Sequence, residues 1–214
     1  MSLPSLPSLT RREHSLLALA LLLVSAAVLG PSVAAPALGG APFADGQSWR
    51  TLPNAMDVLS NLPFAVLGIW GLRWLHWLDR AHERLQDAAP LPQALALPPF
   101  HALDCAWMFF AGLVLTALGS AFYHLQPDDL RLAADRAGMA VAFAGLVGFA
   151  VCERVSARAG WPAAWFTLGG GLLAAAVCQK YGNALPWAVV QFGGMALVLA
   201  LALCRPVAGA IGLK

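Results

Sequence analysis

The chain has 214 residues, 59% of them hydrophobic and only 11% charged. Soluble domains carry roughly 25% charged residues, so this composition points to a membrane protein rather than a soluble one. A formal net charge of +2, with no basic or aromatic-interleaved patch, excludes a nucleic-acid partner.

Crossing the hydrocarbon core takes ~20 mostly apolar residues in a helix. Six stretches qualify, roughly 15–35, 57–78, 103–125, 130–152, 161–179 and 185–205. They predict an all-α polytopic transmembrane bundle forming a single membrane domain over 1–214. The first stretch follows "RREH" and runs into "PSVAAPA", so it reads as an extra N-terminal helix or as a signal-like segment. Pro36, close after the candidate cleavage site, and the length of the run favour the helix. Between the second and third runs, Leu78–Ala102 mixes charges with Pro90, Pro92, Pro98 and Pro99. It is expected to be a loop, with room for a short amphipathic helix over "RAHERLQDAA". The third run should end near Leu125, because Pro127 disfavours helix in the residue before it. Asp128 or Asp129 can then cap the fourth. The isolated cysteines Cys105, Cys152, Cys178 and Cys204 form no CxxC and read as small packing residues.

Basic residues set the orientation. With the N-terminus inside, nine basic residues fall on the inner side (Arg11, Arg12, Arg73, Arg80, Arg84, Arg154, Arg158, Arg205 and Lys214). Three fall outside, Arg50, Arg131 and Lys180. Both termini are therefore expected in the cytoplasm. Only two of the thirteen basic residues are lysines, a bias expected of a GC-rich bacterial genome, which makes a bacterial inner (plasma) membrane the expected location.

Against this apolar background, Gly119–Asp135, GSAFYHLQPDDLRLAAD, stands out. At 1.5 Å per residue, Ser120 lies ~8 Å below the third helix's end and Asp135 ~9 Å below the fourth helix's start. Ser120 and His124 are i, i+4 and share a face. A tight antiparallel turn would bring a hydroxyl, an imidazole and a carboxylate to one level. Asp57 and Asn61 open the second helix from the same side, and Gln191 lies at a comparable depth in the sixth. Polar groups at such depth are costly unless they face the bundle interior or a wet cavity. The inner half reads as nearly bare of them, so the set predicts a pocket open to the outer side. Taken one at a time, the same residues also fit ordinary roles: His124 at an interface, Asp128 and Asp129 as a cap and a solvated turn, Asp135 beside Arg136 as an ion pair, Asn61 as interhelical glue. His14, His76, His82 and His101 map to the opposite side.

A His nitrogen, an Asp oxygen and a Ser hydroxyl suit zinc or a zinc-bound water. A Ser120–His124–Asp135 serine triad ranks lower, since a Ser one turn from its His rarely reaches the ring and no oxyanion hole is evident.

Ser120-xxx-His124, followed eleven residues later by Asp135, resembles the signature of the alkaline ceramidases, in a superfamily of seven-helix membrane hydrolases that includes the adiponectin-receptor-like proteins. "DVLSNLPFAVLG" at 57–68 resembles the family's Ser-Asn-Leu segment, and "DRAGM" at 135–139 its Asp-x-x-Pro-Met, with Gly138 in place of Pro. "LPWAVVQFG" at 185–193 is similar to a segment of bacterial members, and the likeness runs over roughly 43–204. The resemblance implies a zinc-dependent hydrolase that cleaves the amide of ceramide to sphingosine and a fatty acid. In it Ser120, His124 and Asp135 would serve as metal-site and catalytic residues. It also implies two further zinc histidines in a His-xxx-His pair, which this sequence does not contain. The acidic calcium-binding segment of eukaryotic members is not recognisable, and Asp45, Asn54 and Asp57 are not assigned to calcium. The expected partner is a lipid, as a substrate or, if the scaffold is not catalytic, as a bound ligand.

Overall fold

A computed structural model describes residues 8–35, 47–88 and 102–207. The described elements are α1 (Arg11–Leu29), α2 (Ala55–Leu59), α3 (Leu62–Ala88), α4 (Ala102–Leu125), α5 (Asp129–Arg154), α6 (Ala157–Tyr181), α7 (Leu185–Ala188) and α8 (Gly194–Ala202). A π-helical turn, Val189–Gly193, joins the last two. Six helical segments are long and apolar enough to cross a membrane, at 11–29, 55–81, 102–125, 129–154, 157–181 and 185–202. The chain is thus an all-helical membrane-type bundle among its described residues.

Helix α5 is the centre of this bundle, packed between α4 and α6. Its buried positions are mostly small, among them Gly138, Ala140, Ala142, Ala144, Gly145 and Gly148. Within hydrocarbon, helices gain nothing from expelling water, so contact depends on close backbone approach, which small residues allow. A Cβ on Gly138 would lie 2.6 Å from the Leu115 carbonyl oxygen, and one on Gly119 would lie 2.8 Å from that of Ala134. No side chain fits at either place while α4 and α5 keep this spacing. The periphery is large and apolar: Leu21, Leu22, Trp70, Trp77 and Leu173 are exposed, as a lipid-facing surface requires.

Two boundaries differ from those expected. The second span is divided by a turn at Ser60 and Asn61 into α2 and α3, and α3 continues to Ala88. The segment expected as a loop with room for a short helix over 80–89 is helix as far as Ala88, continuous with α3; "DRAHERLQDA" holds no Pro or Gly and is rich in good helix formers. The four prolines of that segment lie outside the described residues. The first span ends at Leu29 rather than near 35, where Gly30 and Pro31 stop it.

The expectation that the inner half lacks polar groups is also corrected. Two of the three buried polar or charged residues, Glu13 and Glu153, each 4% exposed, lie at the end of the bundle opposite His124. Thr10 caps α1 in a capping box with Glu13. Glu13 Oε1 also accepts from Ser156 Oγ at 2.6 Å and Arg158 Nε at 2.7 Å, and Oε2 accepts from Arg158 Nη2 at 2.6 Å. Arg12 Nη1 donates to the Arg154 carbonyl at 2.7 Å. In the sequence Glu13 is one letter of a basic flank; its partner lies 145 residues away, a relation that only the fold creates.

The exposed half of α1 gives it little apolar adhesion, so these bonds hold its first turn to the α5–α6 junction. Glu13→Ala is expected to lower the detergent-solubilised unfolding temperature and speed proteolysis at α1, while Glu83→Ala, exposed on α3, leaves both unchanged. Gly138→Leu should destabilise by about 1–3 kcal/mol through overpacking. Gly169→Ala, where an added Cβ meets nothing within 4 Å, should be neutral or slightly stabilising in the same measurement.

Candidate functional site

The site grows from the α4–α5 turn. Helix α4 ends at Leu125, as the proline two residues on requires, and Asp128 caps α5 by accepting from the Arg131 amide at 2.8 Å. Arg131 braces the turn: its Nη2 donates to Gln126 Oε1 at 3.0 Å, its Nε lies 3.2 Å from Asp128 Oδ2, and its guanidinium sits 4.5 Å from the Phe122 ring centroid. Gly119 then lets α5 approach, with an ideal Cβ there only 3.0 Å from Asp135 Cα.

This approach brings the Asp135 carboxylate close to the Ser120 side chain and into electrostatic range of His124 and Arg136. Ser120, His124 and Asp135, all partly buried, therefore share one level across two antiparallel helices. Arg136 lies over the Trp187 ring at 5.6 Å, so this cation is held against α7 by an aromatic face.

From the other side comes Asp57, on α2. Its Oδ2 lies 3.7 Å from His124 Nδ1, inside ion-pair range and beyond a direct hydrogen bond. Tyr123 packs edge-on to the His124 ring with centroids 5.0 Å apart. Asn54 was legible only as a rejected calcium candidate, yet it fixes the whole approach. Its Nδ2 donates to the His124 carbonyl at 2.9 Å, one of the carbonyls a helix end leaves without an internal partner. Asn54 adopts φ 45°, ψ 47°, a left-handed conformation that Asn tolerates better than most residues.

Two expected pocket residues are not part of this set. Asn61 is 7% exposed, but its Nδ2 donates at 2.9 Å to the Asp57 carbonyl one turn back, within its own segment. It braces α2 rather than gluing helices together. Gln191 lies in the π-turn, which packs on α1, α6, α7 and α8, and no hydrogen bond joins it to the cluster among the described residues.

The donors present do not make a complete zinc site. One imidazole, two carboxylates and a hydroxyl are of the right chemistry. Yet among the described residues no three His, Cys, Asp or Glu side chains converge closely enough to hold a metal ion. A catalytic zinc takes three protein ligands, typically with at least one imidazole or thiolate beyond what is gathered here. His14 and His76 are exposed elsewhere on the bundle.

No family model, curated protein or solved structure matches the chain. The cluster has to be interpreted on its own chemistry.

Metal analysis tests the ligand count directly. After incubation with zinc and desalting, the purified chain should retain well under one equivalent by mass spectrometry of the metal. One equivalent, lost on His124→Ala, would mean that further ligands complete the site.

Proposed function

We propose that this chain is a ceramidase-like integral membrane protein whose Ser120–His124–Asp135 cluster receives the polar amide head of a lipid. The observation that carries this reading is the convergence of those three side chains at one level of an otherwise apolar bundle. The proposal also takes both termini as cytoplasmic and the cluster as facing the outer side of a bacterial inner membrane, supported by the nine-to-three division of basic residues.

The chemistry follows from the donors and acceptors in place. Asp135 lies close to the Ser120 hydroxyl and has capacity for an N–H or O–H of a lipid head group. His124 presents a ring nitrogen that can donate to a carbonyl or hold a proton. A ceramide head carries an amide N–H, an amide carbonyl and two hydroxyls, which this mixed set complements. The exposed apolar surface around it suits the two hydrocarbon chains. The reaction implied by the sequence resemblance is hydrolysis of that amide to sphingosine and fatty acid. Asp135 is the carboxylate we assign to hold and return the proton in it.

A second reading is favoured by the short ligand set: a lipid-binding, non-catalytic protein on the same scaffold, which uses the same hydrogen bonds without turnover.

The test is release of fatty acid from ceramide by the full chain in detergent or nanodiscs, alongside ceramide binding. Under the hydrolase reading, His124→Ala and Asp135→Asn reduce release by about 100-fold or more with helix content unchanged. Ceramide retained with no release, and weakened by Asp135→Asn, identifies the binding protein. Neither binding nor release would sink both.

A further inference from the structure

At the opposite end of the bundle, we infer that Arg12, Arg154 and Arg205 form a binding site for the phosphate of an anionic membrane lipid. This inference is independent of the function proposed for the His124 end. Two guanidiniums are held there side by side on one short segment. Arg12 Nη1 donates to the Arg154 carbonyl at 2.7 Å and to the Arg205 carbonyl at 3.1 Å. Arg154 Nη1 donates to the Cys204 carbonyl at 2.8 Å. Each group is thus anchored through one nitrogen, and the remaining N–H groups of its planar fork point away from those bonds.

Two buried acids lie at this end, Glu13 and Glu153, and neither forms an ion pair with Arg12, Arg154 or Arg205 among the described residues. Glu13 is already saturated by Thr10, Ser156 and Arg158. Arg12 and Arg154 have no ion pair among the described residues. Arg205 adds a third cation, exposed and one residue beyond Cys204. Like charges gathered this closely repel, and backbone carbonyls offset only part of that cost. A bidentate oxyanion offsets the rest, and phosphate matches the guanidinium fork.

The surroundings favour a lipid phosphate over a free one. Helices α1 and α8 both pack, through Leu16 and through Leu197, Val198 and Leu201, on one apolar cluster below the arginines. Their outward faces are apolar and exposed, at Leu17 and Leu21 on one and Leu199 and Leu203 on the other. An acyl chain lying along that seam would place its head group at Arg12 and Arg205. Anionic head groups attract such juxtamembrane arginines in a salt-dependent way.

The experiment is competitive lipid retention. The full chain in mild detergent is offered equal phosphatidylglycerol and phosphatidylcholine, and bound lipid is read by native mass spectrometry. Preferential retention of phosphatidylglycerol is expected, weakening about fivefold for each arginine removed in Arg12→Gln and Arg154→Gln. Because those two also lose bonds that tie α1 to α5, Arg205→Gln is the cleaner variant: its side chain carries no such bond, and it too should weaken retention. Arg50→Gln, at the His124 end, should not. Equal retention of the two lipids, or wild-type retention by Arg205→Gln and by the Arg12→Gln, Arg154→Gln pair, overturns the site. Inorganic phosphate competing as well as the lipid overturns the lipid assignment.

Discussion

The spacing between α4 and α5 is the constraint on which the rest depends. Where Gly119, Gly138 and their neighbours sit, each helix's backbone lies against the other's, and a single methyl group would intrude on a carbonyl. In hydrocarbon this closeness is itself the attraction, since dispersion between tightly apposed backbones replaces the water-driven term of soluble cores. The same closeness sets the reach of the polar side chains. Ser and Asp are short, and Ser120 comes close to Asp135 because Gly119 removes the side chain that would otherwise stand between the helices. Packing and chemistry at this end are therefore one geometric fact.

Buried charged groups gather toward the two ends of the bundle among the described residues, and each end solves its own desolvation problem differently. At the Arg154 end, buried Glu13 receives a full set of donors from three elements and binds α1 to the junction of α5 and α6. That is a structural solution: every lone pair is spent on protein. At the His124 end the same kinds of groups are left at longer range, with Asp57 3.7 Å from the imidazole and partial exposure throughout. Such a set stabilises the fold less than the bonds around Glu13 do.

Much of this was legible in the sequence because membrane helices announce themselves by length and apolarity. The helix end at Leu125, the Asp cap and the levelling of Ser120 with His124 follow from Pro127, from helical rise and from i, i+4 spacing. What stayed hidden were relations between distant segments. Glu13 could not be seen to face Arg158, nor Asn54 to hold the carbonyl of His124 70 residues on. The π-turn at Val189–Gly193 was not legible either, since its residues carry no signal that separates it from a regular helix. The sequence left room for a short helix over 80–89; what it did not show is that this helix runs on unbroken from α3, and the first proline after it, Pro90, comes only after Ala88.

The turn between α4 and α5 also explains why the cluster is built on so few elements. Arg131 holds Gln126, Asp128 and the Phe122 ring together, so the turn is rigid without contacts from the rest of the bundle. Asn54 then ties α2 to the last turn of α4 through a backbone carbonyl rather than through the imidazole. Arg136 is turned aside onto Trp187 instead of closing on Asp135 as a full ion pair. Each of these choices spends a neighbouring group on positioning and leaves Ser120, His124 and Asp135 facing one another.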